Sequence, residues 1–93
     1  MKGIGYDADA RDELDGALAV SPDPHAFRAV LDTALQDIAS GLRQHPKVGR
    51  SPFRKCILPG LPYSVIYEEK DTTIRVIALT HHSRRPGYWK QRL

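Results

Sequence analysis

The apolar residues of this chain change their spacing at Pro46, and that change decides most of what the chain can fold into. Before it, Phe27, Val30, Leu31, Ala34, Leu35, Ile38, Ala39 and Leu42 follow the i, i+3, i+4, i+7 rule of a helix with one inward stripe. After it, Tyr63, Val65 and Tyr67 alternate with Ser64, Ile66 and Glu68, the two-residue period of a strand. Helices gathered in one half and strands in the other predict an α+β architecture rather than an alternating α/β one.

Local signals fill in the order. Gly3-Ile4-Gly5-Tyr6 reads as a brief strand, and Asp7 is a good helix N-cap. From Ala8 to about Ala19, the residues Ala10, Leu14, Ala17 and Leu18 make one inward stripe, with Asp9, Asp12, Glu13 and Asp15 toward the positive end of the helix dipole. Ser21-Pro22-Asp23-Pro24 ends that helix and starts another, Asp23 capping it and Pro24 at the first helical position, where a missing N–H costs nothing. The second helix is expected to end before Pro46. Phe53 to Leu58 then forms a strand, Pro59-Gly60 a turn, Tyr63 to Glu68 a second strand, and Glu69-Lys70-Asp71 a polar turn. Ile74 to Thr80 is nearly continuous in β-branched and apolar residues, as in a strand covered on both faces. The prediction is an N-terminal strand, a helical hairpin, and a three-stranded antiparallel meander with the helices packed on one face, in a single domain over residues 1–93.

Ninety-three residues leave no room for a second folded domain. No apolar stretch approaches the roughly 20 residues of a bilayer span, so no membrane partner is expected. Met1-Lys2 is followed by no apolar h-region, and the lone Cys56 cannot close an internal disulfide; both suit a cytoplasmic location. The net charge of +3 is unevenly spread. Residues 1–45 carry four bases and eight acids, net −4, whereas residues 46–93 carry ten bases and three acids, net +7. The basic half is suited to an acidic partner, either nucleic acid or an acidic protein segment, or else is a solvated surface.

Several motifs lack the context their chemistry needs. Gly3-x-Gly5-x-x-Ala8 matches a loose dinucleotide fingerprint, but no strand precedes it and no parallel βαβ unit follows. His81 and His82 are adjacent on a strand and point to opposite faces, and His25 and His45 lie elsewhere, so no metal site is expected. Cys56 reads as a small buried apolar group, and Glu68-Glu69 as part of a solvated turn. No cofactor is implied. The segment His81-His82-Ser83-Arg84-Arg85-Pro86-Gly87-Tyr88-Trp89-Lys90-Gln91-Arg92 is different, since it gathers bases and aromatics at the end of a buried strand. Arg offers a planar fork to phosphate or carboxylate, and Tyr or Trp can stack or anchor an interface. Alternatively Tyr88 and Trp89 fold back as a lid over the sheet and leave the bases solvated.

Pro62-Tyr63-Ser64-Val65-Ile66-Tyr67, a polar turn, Ile74 to His81, and the tail Arg84-Arg85-Pro86-Gly87-Tyr88-Trp89 together resemble the C-terminal signature of the RelE/ParE toxin superfamily, most closely its ParE branch of plasmid stabilisation proteins. The helical pair before them agrees with that resemblance, which spans essentially the whole chain. It implies the toxin of a type II toxin-antitoxin pair, held in a hetero-oligomer with a ParD-like antitoxin whose C-terminal segment wraps it. An apolar groove between the layers would receive that segment, with Leu14, Leu18, Phe27, Leu31 and Leu35 as contributors.

Two activities occur in the superfamily. ParE-like members poison DNA gyrase without chemistry of their own; RelE-like members cleave mRNA on the ribosome, which needs a base, an acid and cations around one phosphate. RelE-like nucleases with a terminal His-Tyr pair typically place an Arg on the strand occupied here by Pro62 to Val65, where this chain has Ser64. The resemblance therefore points to the gyrase-type toxin, with His81, Arg84, Arg85, Tyr88, Trp89 and Arg92 as candidates to meet the target. The alternative nuclease would draw on Arg54, Lys55, His81 and Tyr88. A third possibility keeps the fold as a non-toxic module that binds its antitoxin only.

Overall fold

Asp23 and Pro24 act as their chemistry dictates: the Asp23 carboxylate accepts the Ala26 N–H at 3.0 Å, and Pro24 opens the helix. The computed structural model describes residues 1–93 and orders them as β1 (Gly3–Tyr6), α1 (Ala8–Val20), α2 (Pro24–Ala39), β2 (Phe53–Ile57), β3 (Tyr63–Glu69), β4 (Thr73–His81) and a short 3-10 helix (Tyr88–Arg92). The four strands form one sheet in the order β1-β4-β3-β2. β2, β3 and β4 are the expected antiparallel meander, while β1 joins β4 in parallel, with Gly3 opposite Thr73 and Tyr6 opposite Val76. The sheet is therefore mixed.

Both helices lie on one face. Ala10, Leu14 and Ala17 of α1 and Phe27, Leu31, Leu35 and Ile38 of α2 pack on Cys56, Val65, Tyr67, Ile74, Val76 and Leu79. The opposite face has its own smaller cluster of Phe53, Ile66, Ile77, Ala78 and Trp89. A bulge explains why β4 is apolar almost without interruption. Ile66 pairs with Ala78 and Tyr67 with Val76, which leaves Ile77 as an extra residue and shifts the alternation by one. Ile74, Val76 and Leu79 thereby all reach the helix side, while Ile77 and Ala78 reach the other.

Four expectations need correction. α2 stops at Ala39, and Leu42 is 72% exposed rather than part of the stripe, because Gly41 adopts φ 80° and turns the chain into the left-handed region that ends helices. Asp7 occupies the N-cap position but makes no side-chain cap. Its carboxylate instead grips the Arg75 guanidinium through two bonds of 2.8 and 2.7 Å, a bidentate charge-assisted pair. Of the acids assigned to the dipole of α1, Asp9 alone lies in the first turn. Finally, Leu14, Phe27, Leu31 and Leu35 are buried and Leu18 is half-buried, so they fill the space between helices and sheet and line no open groove.

Candidate functional site

β4 outruns β1. Beyond the Tyr6–Val76 pair its outer edge has no strand beside it, and unpaired backbone groups there would invite another chain. Two side chains satisfy that edge. Leu79 donates its N–H to Glu13 Oε1 at 3.1 Å, and the Ile77 carbonyl accepts from Arg92 Nη1 at 3.3 Å. Glu13 and Arg92 are themselves joined face to face, Nη1 to Oε1 at 3.0 Å and Nη2 to Oε2 at 2.9 Å. The Tyr88 hydroxyl also donates to Glu13 Oε2. Burial disfavours the charged form of Glu13, but the bonds from Arg92, Tyr88 and Leu79 outweigh it and hold the carboxyl below its ordinary pKa. Burial and the neighbouring Glu13 carboxylate raise the pKa of Tyr88, and the bond to Glu13 raises that of Arg92.

This clasp fixes the C-terminal segment against the sheet. Gly87, at φ 76°, makes the reversal into Tyr88–Arg92 that a side chain would resist. Trp89 then enters the second cluster, 3% exposed, its ring edge-to-face with Phe53 at 5.6 Å. Arg84 stacks over the Tyr88 ring at 3.9 Å, and Arg92 lies over it at 5.1 Å.

The residues singled out from sequence are thus separated by role. Trp89 is core and Arg92 is committed to Glu13, so neither offers a free contact to a target; Arg84 and Arg85 remain exposed and without an acidic partner. His81 packs its ring against Tyr63 at 4.9 Å and accepts the Ser83 N–H on Nδ1 at 3.0 Å. The four nuclease candidates do not converge. Arg54 shares the Cys56 face of β2 and donates to the His45 carbonyl at 2.8 Å, Lys55 points to the other face, and the Tyr88 hydroxyl is held by Glu13.

Two concave surfaces remain. One, of about 570 Å³, runs along the outer flank of α2 and the end of β2, lined by Ala29, Val30, Ala34, Cys56, Ile57 and Pro59 with Asp37, Arg43 and His45. Burial raises the pKa of Cys56, which keeps it a neutral thiol rather than a nucleophile. The other, of about 470 Å³, lies across the sheet face opposite the helices and includes Lys55, Ser64, His82, Arg84 and Lys90. There the Ser64 hydroxyl and His82 Nε2 are hydrogen-bonded at 3.0 Å.

Glu13 and His82 were both missed as site residues. Glu13 had a readable signal: it falls on the Ala10–Leu14–Ala17 stripe, and an acid on a buried stripe needs a partner. For His82, in the turn just beyond β4, no local signal marks the hydrogen bond to Ser64.

A small mixed sheet carrying a helical hairpin on one face and a C-terminal cap on the other is the fold of solved bacterial toxins. Similar structures include the chromosomal ParDE toxin-antitoxin system of P. aeruginosa (20% identity, 87% of this chain and 96% of that one, TM-score 0.60). A metal-bound toxin of Helicobacter pylori (21% identity, 89% and 97%, TM-score 0.68) and a copper-bound mutant toxin from the same organism (21%, 89% and 97%, TM-score 0.71) share it too. A family profile described as the ParE toxin of the type II toxin-antitoxin system parDE matches residues 6–86. This chain belongs to the ParE toxin family. No curated protein matches it by sequence. Metal binding belongs to the Helicobacter pylori structures; here no three His, Cys, Asp or Glu side chains come together.

Proposed function

We propose that this ParE-type toxin acts by binding DNA gyrase and holding its cleaved DNA complex, without chemistry of its own, and that a ParD-like antitoxin silences it in a hetero-oligomer. The observation that carries this reading is the engagement of the groups that RNA cleavage would require. The Tyr88 hydroxyl is bound to Glu13, Arg54 to the His45 carbonyl, and Lys55 stands on the opposite face from Arg54. A phosphoryl transfer needs base, acid and cation around one phosphate at hydrogen-bond reach. Gyrase binding asks only for a presented surface, which Arg84 and Arg85 supply beside the stacked Tyr88.

The antitoxin segment is assigned to the groove between α2 and β2. That groove is open and partly apolar, and Ile57 is 63% exposed at its rim. An amphipathic segment that folds on binding would cover such a surface.

The experiment is expression without antitoxin, followed by purified protein in a supercoiling assay. Induction of the DNA-damage response and stoichiometric inhibition of gyrase support the proposal; unaffected gyrase at excess toxin contradicts it. The ribosomal alternative draws on Lys55, His81 and His82 lining one cleft. It requires codon-linked mRNA cuts in a translating extract that disappear in Lys55→Ala and His81→Ala.

A further inference from the structure

The cleft opposite the helices gathers positive charge with no acid in its lining. Of the 14 Lys and Arg side chains, Lys2, Arg28, Lys70, Arg75 and Arg92 pair with an acid and the rest do not. Lys55, Arg84 and Lys90, which converge on this cleft from β2, the loop after β4 and the C-terminal 3-10 helix, pair with none, and no Asp or Glu lines it. Three like charges gathered without a counter-ion repel one another, so the arrangement is relieved when an anion enters.

The remaining walls narrow the class of anion. The volume, about 470 Å³, is far larger than a lone ion needs. Ser64 and His82 add hydrogen-bonding capacity to one wall, their side chains joined at 3.0 Å, and Thr80 lies beside them. The indole of Trp89 forms part of the floor but is 3% exposed, so no aromatic face is presented for a base to stack on. The Lys90 ammonium lies over that ring, 5.8 Å from its centroid.

We infer that this cleft binds the phosphodiester backbone of an unpaired nucleic-acid strand, with Lys55, Arg84 and Lys90 on the phosphates and without base-specific contacts. The cations come from three separate elements and line a concavity rather than a flat face, which suits one flexible strand better than the broad surface of a duplex. Backbone contact without stacking makes binding indifferent to sequence and steep in salt. The inference stands beside the gyrase reading without resting on it, because it concerns naked nucleic acid and the toxin alone.

The test uses the purified full chain with fluorescein-labelled 12-nucleotide mixed-sequence strands, as single-stranded DNA, single-stranded RNA and duplex DNA. Binding is followed by anisotropy and by emission of Trp89, the one tryptophan of the chain. Three phosphate contacts predict a log–log salt slope near −2 for a single strand, or about twentyfold weaker binding at 200 mM than at 50 mM salt. Lys55→Gln, Arg84→Gln and Lys90→Gln should each weaken binding severalfold and lower the slope by about 0.7 to 1, equally for different sequences. Arg11→Gln, on α1, removes the same charge and should leave the slope unchanged.

DNA and RNA strands are expected within about threefold of each other; binding of RNA alone would overturn the backbone assignment, since the 2′-OH would then be read. Duplex bound as tightly as single strand would overturn the assignment to the cleft. So would equal losses in Arg11→Gln and the three cleft variants, or no binding at 50 mM salt. Supercoiling inhibition by the same proteins is scored separately, so a failure of gyrase binding and a failure of strand binding give different patterns.

Discussion

The Arg92 guanidinium meets the Glu13 carboxylate through two bonds of 3.0 and 2.9 Å, across a sequence separation of 79 residues. The pair ties the end of the chain to the first helix, and its two members also complete the edge of β4 where β1 stops. The cap that covers the sheet opposite the helices therefore depends on a contact made far outside it.

Glu13→Gln should lower stability by about 2 kcal/mol, because Arg92 loses its bidentate charged partner in a half-buried setting and keeps only the exposed Asp9 at 3.6 Å, while the Leu79 N–H keeps an acceptor. In a domain of this size that is a fall in Tm of roughly 8–16 °C by thermal unfolding. Glu13→Leu should cost more, since the edge N–H then has no acceptor. Equal stability in both variants and the parent would remove the clasp from the account.

The same carboxylate gives stability a pH dependence of known sign. Its folded pKa lies below the unfolded value of about 4.3, so its contribution is complete above that value and fades as pH falls through the folded one. Glu69, lowered chiefly by its hydrogen bond from Lys2, acts in the same direction. Urea midpoints from pH 7 to pH 3 should therefore fall in the parent protein and fall less steeply in Glu13→Gln. Parallel curves would show that Glu13 does not titrate as described.

Trp89→Ala empties the second cluster of its largest member and should cost about 3–5 kcal/mol. Trp89→Phe keeps a ring against Phe53 and should lose roughly half as much. Near-neutral behaviour of Trp89→Ala would mean that the indole is a presented anchor and not core.

Ile57→Glu places a charge at the rim of the α2–β2 groove on a residue that is already exposed, so folding should be unchanged. Copurification with a coexpressed antitoxin should weaken tenfold or more, with Leu18→Ala much closer to the parent. The reverse order would return the antitoxin to the stripe first expected from sequence.

What could be read from the sequence was what neighbouring residues decide. Asp23 and Pro24 announce a helix start, Pro59-Gly60 a turn, and the spacing of Phe27, Leu31, Leu35 and Ile38 a buried stripe. Leu42 fits the helical period yet lies outside the helix, because Gly41 ends it first. Asp7 has the local signature of a cap, but its partner, Arg75, lies 68 residues away, where no local signal reaches. A docking surface is harder to read for a related reason: apolar stripes show which residues are buried in the free chain and not which concave surface, such as that lined by Ala29, Ala34 and Ile57, the core leaves open.

The proposed gyrase activity, holding the enzyme on broken DNA while the toxin cleaves nothing itself, can be read directly. The most direct measurement incubates purified toxin with gyrase, ATP and supercoiled plasmid, then denatures the protein and counts linear DNA. Linear product is expected to rise with toxin up to a one-to-one ratio with gyrase, to carry covalently attached gyrase, and to be absent without gyrase. Plasmid that relaxes and supercoils normally at excess toxin, beside cut mRNA in a translating extract, would contradict it.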